Sequence, residues 1–161
     1  MAKSPKIPPS LDRRPRYRGW VIPYIVVVGS DGTPHFSRND TGRVNQVAAG
    51  RKCGQCGERL RRNITFIGPE DEVRLRKFME PGMHPECAQY AVATCPWLSS
   101  PHYRTKNKEA TDPKLIFVGD GLMTQPRPTR MAMYTTTSYR WSRKGLHVIF
   151  DVGVSLRIVW F

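Results

Sequence analysis

The residues best suited to chemistry are two short pairs, Cys53-Gly54-Gln55-Cys56 and His84-Pro85-Glu86-Cys87, with 27 residues between them. A C-x-x-C followed by an H-x-x-C has the donor set and spacing of a four-ligand zinc site. Gly54 and Gly57 let the first pair turn tightly, so that both sulfurs point at one ion. His84 and Cys87 stand three apart at the start of an expected helix, on one helical face. Cys53, Cys56, His84 and Cys87 are therefore expected to hold one structural zinc ion. Four protein ligands close the coordination sphere, so such a metal stabilises and does not catalyse. Cys95 competes as a ligand, but it follows Cys87 by eight residues, a rise of about 12 Å along a helix. Sulfurs on one zinc lie under about 4 Å apart, so Cys95 is expected as a small buried hydrophobe.

Other chemistries fail on particular residues. A redox pair at Cys53 and Cys56 would need a helix starting at the first cysteine, which Gly54 and Gly57 disfavour. His84-Pro85-Glu86 matches the H-x-E of zinc deaminases, but here the cysteine pair precedes the histidine and lacks a leading proline. A nuclease built on such a zinc module would carry a histidine between the pairs, and residues 57–80 hold none. Gly119-Asp120-Gly121 lacks the following lysine and helix of a phosphate loop. His35, His102 and His147 are scattered, and Glu70-Asp71-Glu72 reads as a solvated turn. No catalytic centre is expected, and the chain is not expected to be an enzyme.

Several short elements must position the two pairs. Residues 1–19 are rich in proline, lysine and arginine and read as an extended basic arm, mobile unless a groove holds it. Residues 20–161 read as a single α+β domain, an antiparallel sheet with short helices and an embedded treble-clef-like zinc module at 51–98. A hairpin is predicted from residues 20–28 and 35–37 around Gly32, then a helix over 41–49 capped by Asn39 or Asp40 and ended by Gly50. Between the metal pairs, strands are predicted at 63–67 and 73–78 with Gly68-Pro69 as the turn, and a helix over 85–94 follows. Residues 99–114 read as a polar linker. Further strands are expected at 115–118, 131–141, 147–152 and 156–161, with a turn at Lys144-Gly145.

Charge gives the functional clue. The chain of 161 residues carries 26 Lys plus Arg against 13 Asp plus Glu, a net +13, which favours a polyanionic or acidic partner. Its longest apolar run, residues 21–28, is far short of the ~20 residues that cross a bilayer, and a signal peptide is not indicated. A cytoplasmic protein of a bacterial or phage-infected cell, or a virion component, is expected, with no membrane partner. Basic residues cluster in the arm, around the first metal pair, and through 121–150, a stretch without any acid. Arg59, Arg61, Arg62, Arg127, Arg130, Arg140 and Arg143 are the candidate phosphate contacts. Alternation along 131–141 puts Met131, Met133, Tyr139 and Trp141 on one face and Tyr134 on the other, where Tyr134 is the candidate for stacking a base.

The elements Cys53-Gly54-Gln55-Cys56-Gly57, Phe66-Ile67-Gly68-Pro69, His84-Pro85-Glu86-Cys87-Ala88 and Cys95-Pro96-Trp97-Leu98 resemble a group of small uncharacterised proteins of actinobacteria and their phages. The pattern covers roughly residues 51–100, and Ile7-Pro8-Pro9-Ser10 extends it weakly. Members carry a Gly-Pro-x-Cys element where Glu70-Asp71 follows Pro69 here. The resemblance carries no catalytic residue with it and implies a phage or prophage accessory protein. The expected function is a non-enzymatic, zinc-stabilised protein that binds DNA or RNA through the backbone. The alternative is a protein-interaction module, a phage or virion product docking on an acidic protein.

Overall fold

The computed structural model describes residues 5–99 and 128–161, an α+β arrangement of antiparallel sheets and short helices. Strands β1 (Arg16–Tyr17) and β2 (Trp20–Val21) form a first small hairpin, and β3 (Val26–Val28) with β4 (Pro34–Asn39) a second. The predicted single strand over 20–28 is thus split in two, with Pro23 in the gap. Helix α1 (Thr41–Gly50) follows, capped by Asp40, whose carboxylate accepts the Arg43 N–H at 3.0 Å. Val44, Val47 and Ala48, spaced three and four apart, are its buried face. Gly50 does not end it as expected: Arg51 takes the left-handed position at φ 50. The strain of about 1 kcal/mol is offset by the Arg51 guanidinium stacking 4.7 Å above the Tyr139 ring.

Strand β5 (Ile64–Pro69) leads into helix α2 (Glu70–Leu75), strand β6 (Lys77–Phe78), helix α3 (Pro85–Thr94) and helix α4 (Pro96–Ser99). The hairpin predicted between the metal pairs does not form. Gly68 and Pro69 continue β5, and the first half of residues 73–78 is helix. Three acids in the first turn of α2, Glu70, Asp71 and Glu72, suit the positive end of a helix, and that outweighs a six-residue alternation. Arg76 ends α2 at φ 53, leaving two residues for β6. Nor is the acidic run wholly solvated. Glu72 is half-buried and accepts the Met79 N–H at 3.4 Å.

Burial pushes the Glu72 carboxyl up to about 7, opposed by the Met79 N–H and reinforced by Glu80. The folded chain therefore keeps a proton that the unfolded chain releases near 4.5. This contribution is complete below that pH and is lost as pH rises through about 7, a loss on the order of 3 kcal/mol. Urea denaturation between pH 4.5 and about 8 should show stability falling more steeply for the wild type than for Glu72→Gln.

The C-terminal strands are β7 (Met131–Thr136), β8 (Tyr139–Lys144), β9 (His147–Val152) and β10 (Arg157–Trp160). The strand predicted over 131–141 is two strands, because the chain leaves one sheet at Thr137-Ser138 and enters another. Strand β7 lies between β10 and β5, with Phe66 opposite Tyr134 and Thr65 opposite Thr135. Strand β9 lies between β6 and β8, and Gly145 at φ 63 closes the β8–β9 hairpin.

Phe66, Phe78, Tyr134, Tyr139 and Phe150 meet in one aromatic core, with ring centroids 5.4 to 5.8 Å apart in successive contacts. The opposite face of the β5–β7 pair presents Ile67, Met131 and Met133 to a second apolar cluster, built around three cysteines. Both faces of this sheet are covered. Residues 115–118, most of the 99–114 linker, the Gly119-Asp120-Gly121 turn, His102 and Arg127 lie outside the described residues.

Candidate metal centre

The first metal pair sits in a knuckle that begins where α1 ends. Lys52 bridges Arg59, the Cys53 N–H donates to the Glu58 carbonyl at 2.8 Å, and the Gly57 N–H donates to the Cys53 carbonyl at 2.8 Å. Gly57 supplies φ 80, which closes the turn. The knuckle is tied to the body at two places. Tyr24 N–H donates to the Gln55 carbonyl at 2.8 Å, and Gly54 N–H to the Gly82 carbonyl at 3.0 Å.

The second pair is delivered by β5. Met83 exchanges both backbone hydrogen bonds with Thr65, at 2.8 and 2.9 Å. His84 then caps α3, and Pro85 takes the first helical position, where its missing N–H costs nothing. One turn on, Cys87 falls on the same side as His84. The helix spans Pro85–Thr94 as predicted, and Cys95 stands at its end, half-buried, apart from the ligand cluster.

The ligand atoms of Cys53, Cys56, His84 and Cys87 all lie within 4.8 Å of one another, and all four residues are buried. His84 Nδ1 is 3.4 Å from Cys56 Sγ and 3.9 Å from Cys87 Sγ. The other ring nitrogen, Nε2, is 3.0 Å from the Arg59 carbonyl. A carbonyl only accepts, so Nε2 carries the proton and Nδ1 turns its lone pair into the cluster. Burial opposes charge on Cys53. Hydrogen bonds from the Cys56 and Cys87 thiols and from the Cys56 and His84 N–H groups outweigh it and bring its pKa down to about 3. Cys87, the donor toward Cys53 and Cys56, is pushed up. Three buried cysteine sulfurs beside an imidazole lone pair are the donor arrangement that a metal cation completes. The four residues could hold one ion.

No family model, no curated protein and no solved structure matches this chain. The site rests on its geometry.

Two contributors were not anticipated. One is the Arg59 carbonyl, whose role no side-chain pattern announces. The other is Ser10, whose Oγ lies 3.3 Å from Cys87 Sγ. Ser10 belongs to a single 3-10 turn, Pro9–Leu11, and Leu11 is fully buried in the cysteine-centred cluster. The arm thus finds its groove on the body. The signal for Ser10 was its place in the Ile7-Pro8-Pro9-Ser10 element.

The candidate nucleic-acid contacts divide by environment. Tyr134 is 3% exposed, its ring packs on Phe78, and its hydroxyl donates to the Gly153 carbonyl at 2.7 Å. It has no open face for a base, because the sheet face expected to be open is the aromatic core. Arg61 is exposed and pairs with Glu86 of α3. Arg130 pairs with Glu70 at 3.4 Å and stacks 4.1 Å above Trp160. Arg59 and Arg62 on the knuckle, and Arg140 and Arg143 on β8, are exposed and make no ion pair among the described residues.

Proposed function

We propose that this chain is a non-enzymatic, zinc-stabilised nucleic-acid-binding protein that grips the phosphate backbone. Zinc is the metal that suits three thiolates and one imidazole in a closed set. A closed set leaves no position for substrate or activated water, so the metal's task is to hold the knuckle to α3. Knuckle and helix keep the order of a treble clef, with β5, α2 and β6 standing where its hairpin would be. The observation that carries the reading is the four unpaired guanidinium groups, Arg59, Arg62, Arg140 and Arg143. Arg140 and Arg143 stand on β8 and Arg59 on the bridge that closes the knuckle, in a chain of net charge +13. An accessory role in a phage or prophage fits such a protein.

Labelled single-stranded and duplex DNA and RNA should be titrated at roughly 50 and 200 mM salt. Four phosphate contacts correspond to a loss of about a hundredfold in duplex affinity over that range. Charge reversal of Arg59 and Arg62, or of Arg140 and Arg143, should weaken binding and flatten the salt dependence. Binding too weak to measure for every form at the lower salt would overturn the reading in favour of an acidic protein partner.

A further inference from the structure

The arm contains a feature that neither the metal centre nor the four arginines use. Residues 16–21 fold into the β1–β2 hairpin, with Arg16 opposite Val21 and Tyr17 opposite Trp20. The two-residue turn between them is Arg18-Gly19, both at positive φ, 49 and 84. This is the pattern of a type I′ turn, whose first position favours Asn, Asp or Gly. Arginine there is strained, and its guanidinium sits 5.3 Å from the centre of the Tyr17 ring. A space-filling role does not explain it, since the turn faces open solvent: a Cβ built on Gly19 would meet nothing within 4 Å.

The base of the hairpin is fixed. The Ile22 N–H donates to the Pro15 carbonyl at 2.9 Å, and Arg14 Nε donates to the Ile22 carbonyl at 3.1 Å. Val21, 5% exposed, packs with Leu11 in the cysteine-centred cluster. Cross-strand partners share a face of the ribbon, and successive residues alternate. With Val21 turned inward, the Tyr17–Trp20 pair faces outward, and Trp20 is 48% exposed. Arg18 is exposed at the apex beside this pair, whereas Arg16, opposite Val21, lies on the other face, 3.8 Å from Asp12.

We infer that this hairpin is a stacking site for single-stranded nucleic acid, with an unpaired base on Trp20 and an adjoining phosphate on Arg18. The inference rests on the nucleic-acid reading and names the form of its ligand. A duplex keeps its base faces inside the stack, so an outward aromatic pair serves a strand whose bases are free. The Arg18 guanidinium, over the Tyr17 ring on the same face, matches a phosphate next to such a base. Strain at Arg18 is the cost of placing a cation at the apex, where Gly would form the turn more easily.

The test uses the full-length, metal-loaded chain with labelled oligothymidylate and with a duplex of the same length. Trp20→Ala is expected to lose about tenfold in affinity for oligothymidylate while duplex affinity stays within about twofold, and Trp20→Phe to keep most of the binding. Arg18→Gly relieves the turn, so its melting temperature should be no lower than wild type. Its salt dependence on oligothymidylate should be shallower by about 0.7 in the log–log slope. If wild type binds oligothymidylate and Trp20→Ala binds it equally well, the hairpin assignment fails and the nucleic-acid reading stands. Equal losses on both nucleic acids with a lowered melting temperature would make Trp20 structural and also overturn the assignment. Wild type binding neither nucleic acid removes both.

Discussion

Cys53→Ser and Cys87→Ser chains are each expected to lose the metal and, with it, the cooperative fold. Both sulfurs are fully buried, and Leu11, Ile67, Met83, Ala88, Ala91 and Met131 pack around them in one cluster. The knuckle has no regular ladder beyond the single Lys52–Arg59 bridge, and otherwise hangs on a few backbone hydrogen bonds. A structural zinc contributes on the order of 10 kcal/mol, which is comparable to the whole stability of a domain of this size. The damage cannot stay local. Strands β5 and β7 present one face to the metal-side cluster and the other to the aromatic core, so loosening one cluster frees a wall of the other. One unfolding transition is expected, and excess chelator should bring it about in the wild-type chain. Metal stoichiometry by elemental analysis, with far-ultraviolet circular dichroism, checks both claims. Cys95→Ser serves as the control, because Cys95 stands outside the ligand cluster. A Cys53→Ser protein that is metal-free yet folds with wild-type stability would refute the metal centre.

The cluster of Cys53, Cys56, His84 and Cys87 was legible because its donors are placed by local spacing. Two donors in a turn and two at a helix start need only their own spacing, and Pro85 marks the helix start besides. What sequence could not supply was pairing over distance. The residues Thr137 and Ser138 offer no glycine or proline, yet the chain changes sheets there, and so Tyr134 and Tyr139 enter the same core despite their odd separation. Alternation along β7 is real, but it separates an open face from a buried one only when one face is open. Here Met131 and Tyr134 are both covered, from opposite sides. The arm was misjudged as extended for a related reason. Its prolines do exclude a long helix, but one leucine and one serine suffice to anchor it.

Gly57→Ala should be strongly damaging although it touches none of the four cluster residues. At φ 80 any side chain is strained, at a cost of about 1 kcal/mol. Here there is also no room: the added Cβ would lie 2.5 Å from Cδ2 and 2.9 Å from Cγ of Tyr24. The Tyr24 ring is not free to retreat. Its N–H is bonded to the Gln55 carbonyl, its hydroxyl donates to Gln46 Oε1 at 3.1 Å, and its carbonyl accepts from Arg43 at 2.9 Å. The guanidinium groups of Arg14 and Arg43 each sit 5.5 Å from the ring centre. Relief must therefore come from the knuckle itself, which moves Cys53 and Cys56 away from His84 and Cys87. Strain and overlap together should cost about 3 to 4 kcal/mol and weaken metal retention against a chelator. Gly32→Ala separates the two effects, because Gly32 has φ 82 and nothing within 4 Å of an added Cβ. It should cost only about 1 kcal/mol and leave the metal in place. Urea denaturation of the two variants measures the difference, and equal losses would show that Tyr24 does not press on the knuckle. The larger loss at Gly57 means that the metal pair owes its position to a tyrosine some thirty residues earlier in the chain, and through its Arg14 neighbour to the arm.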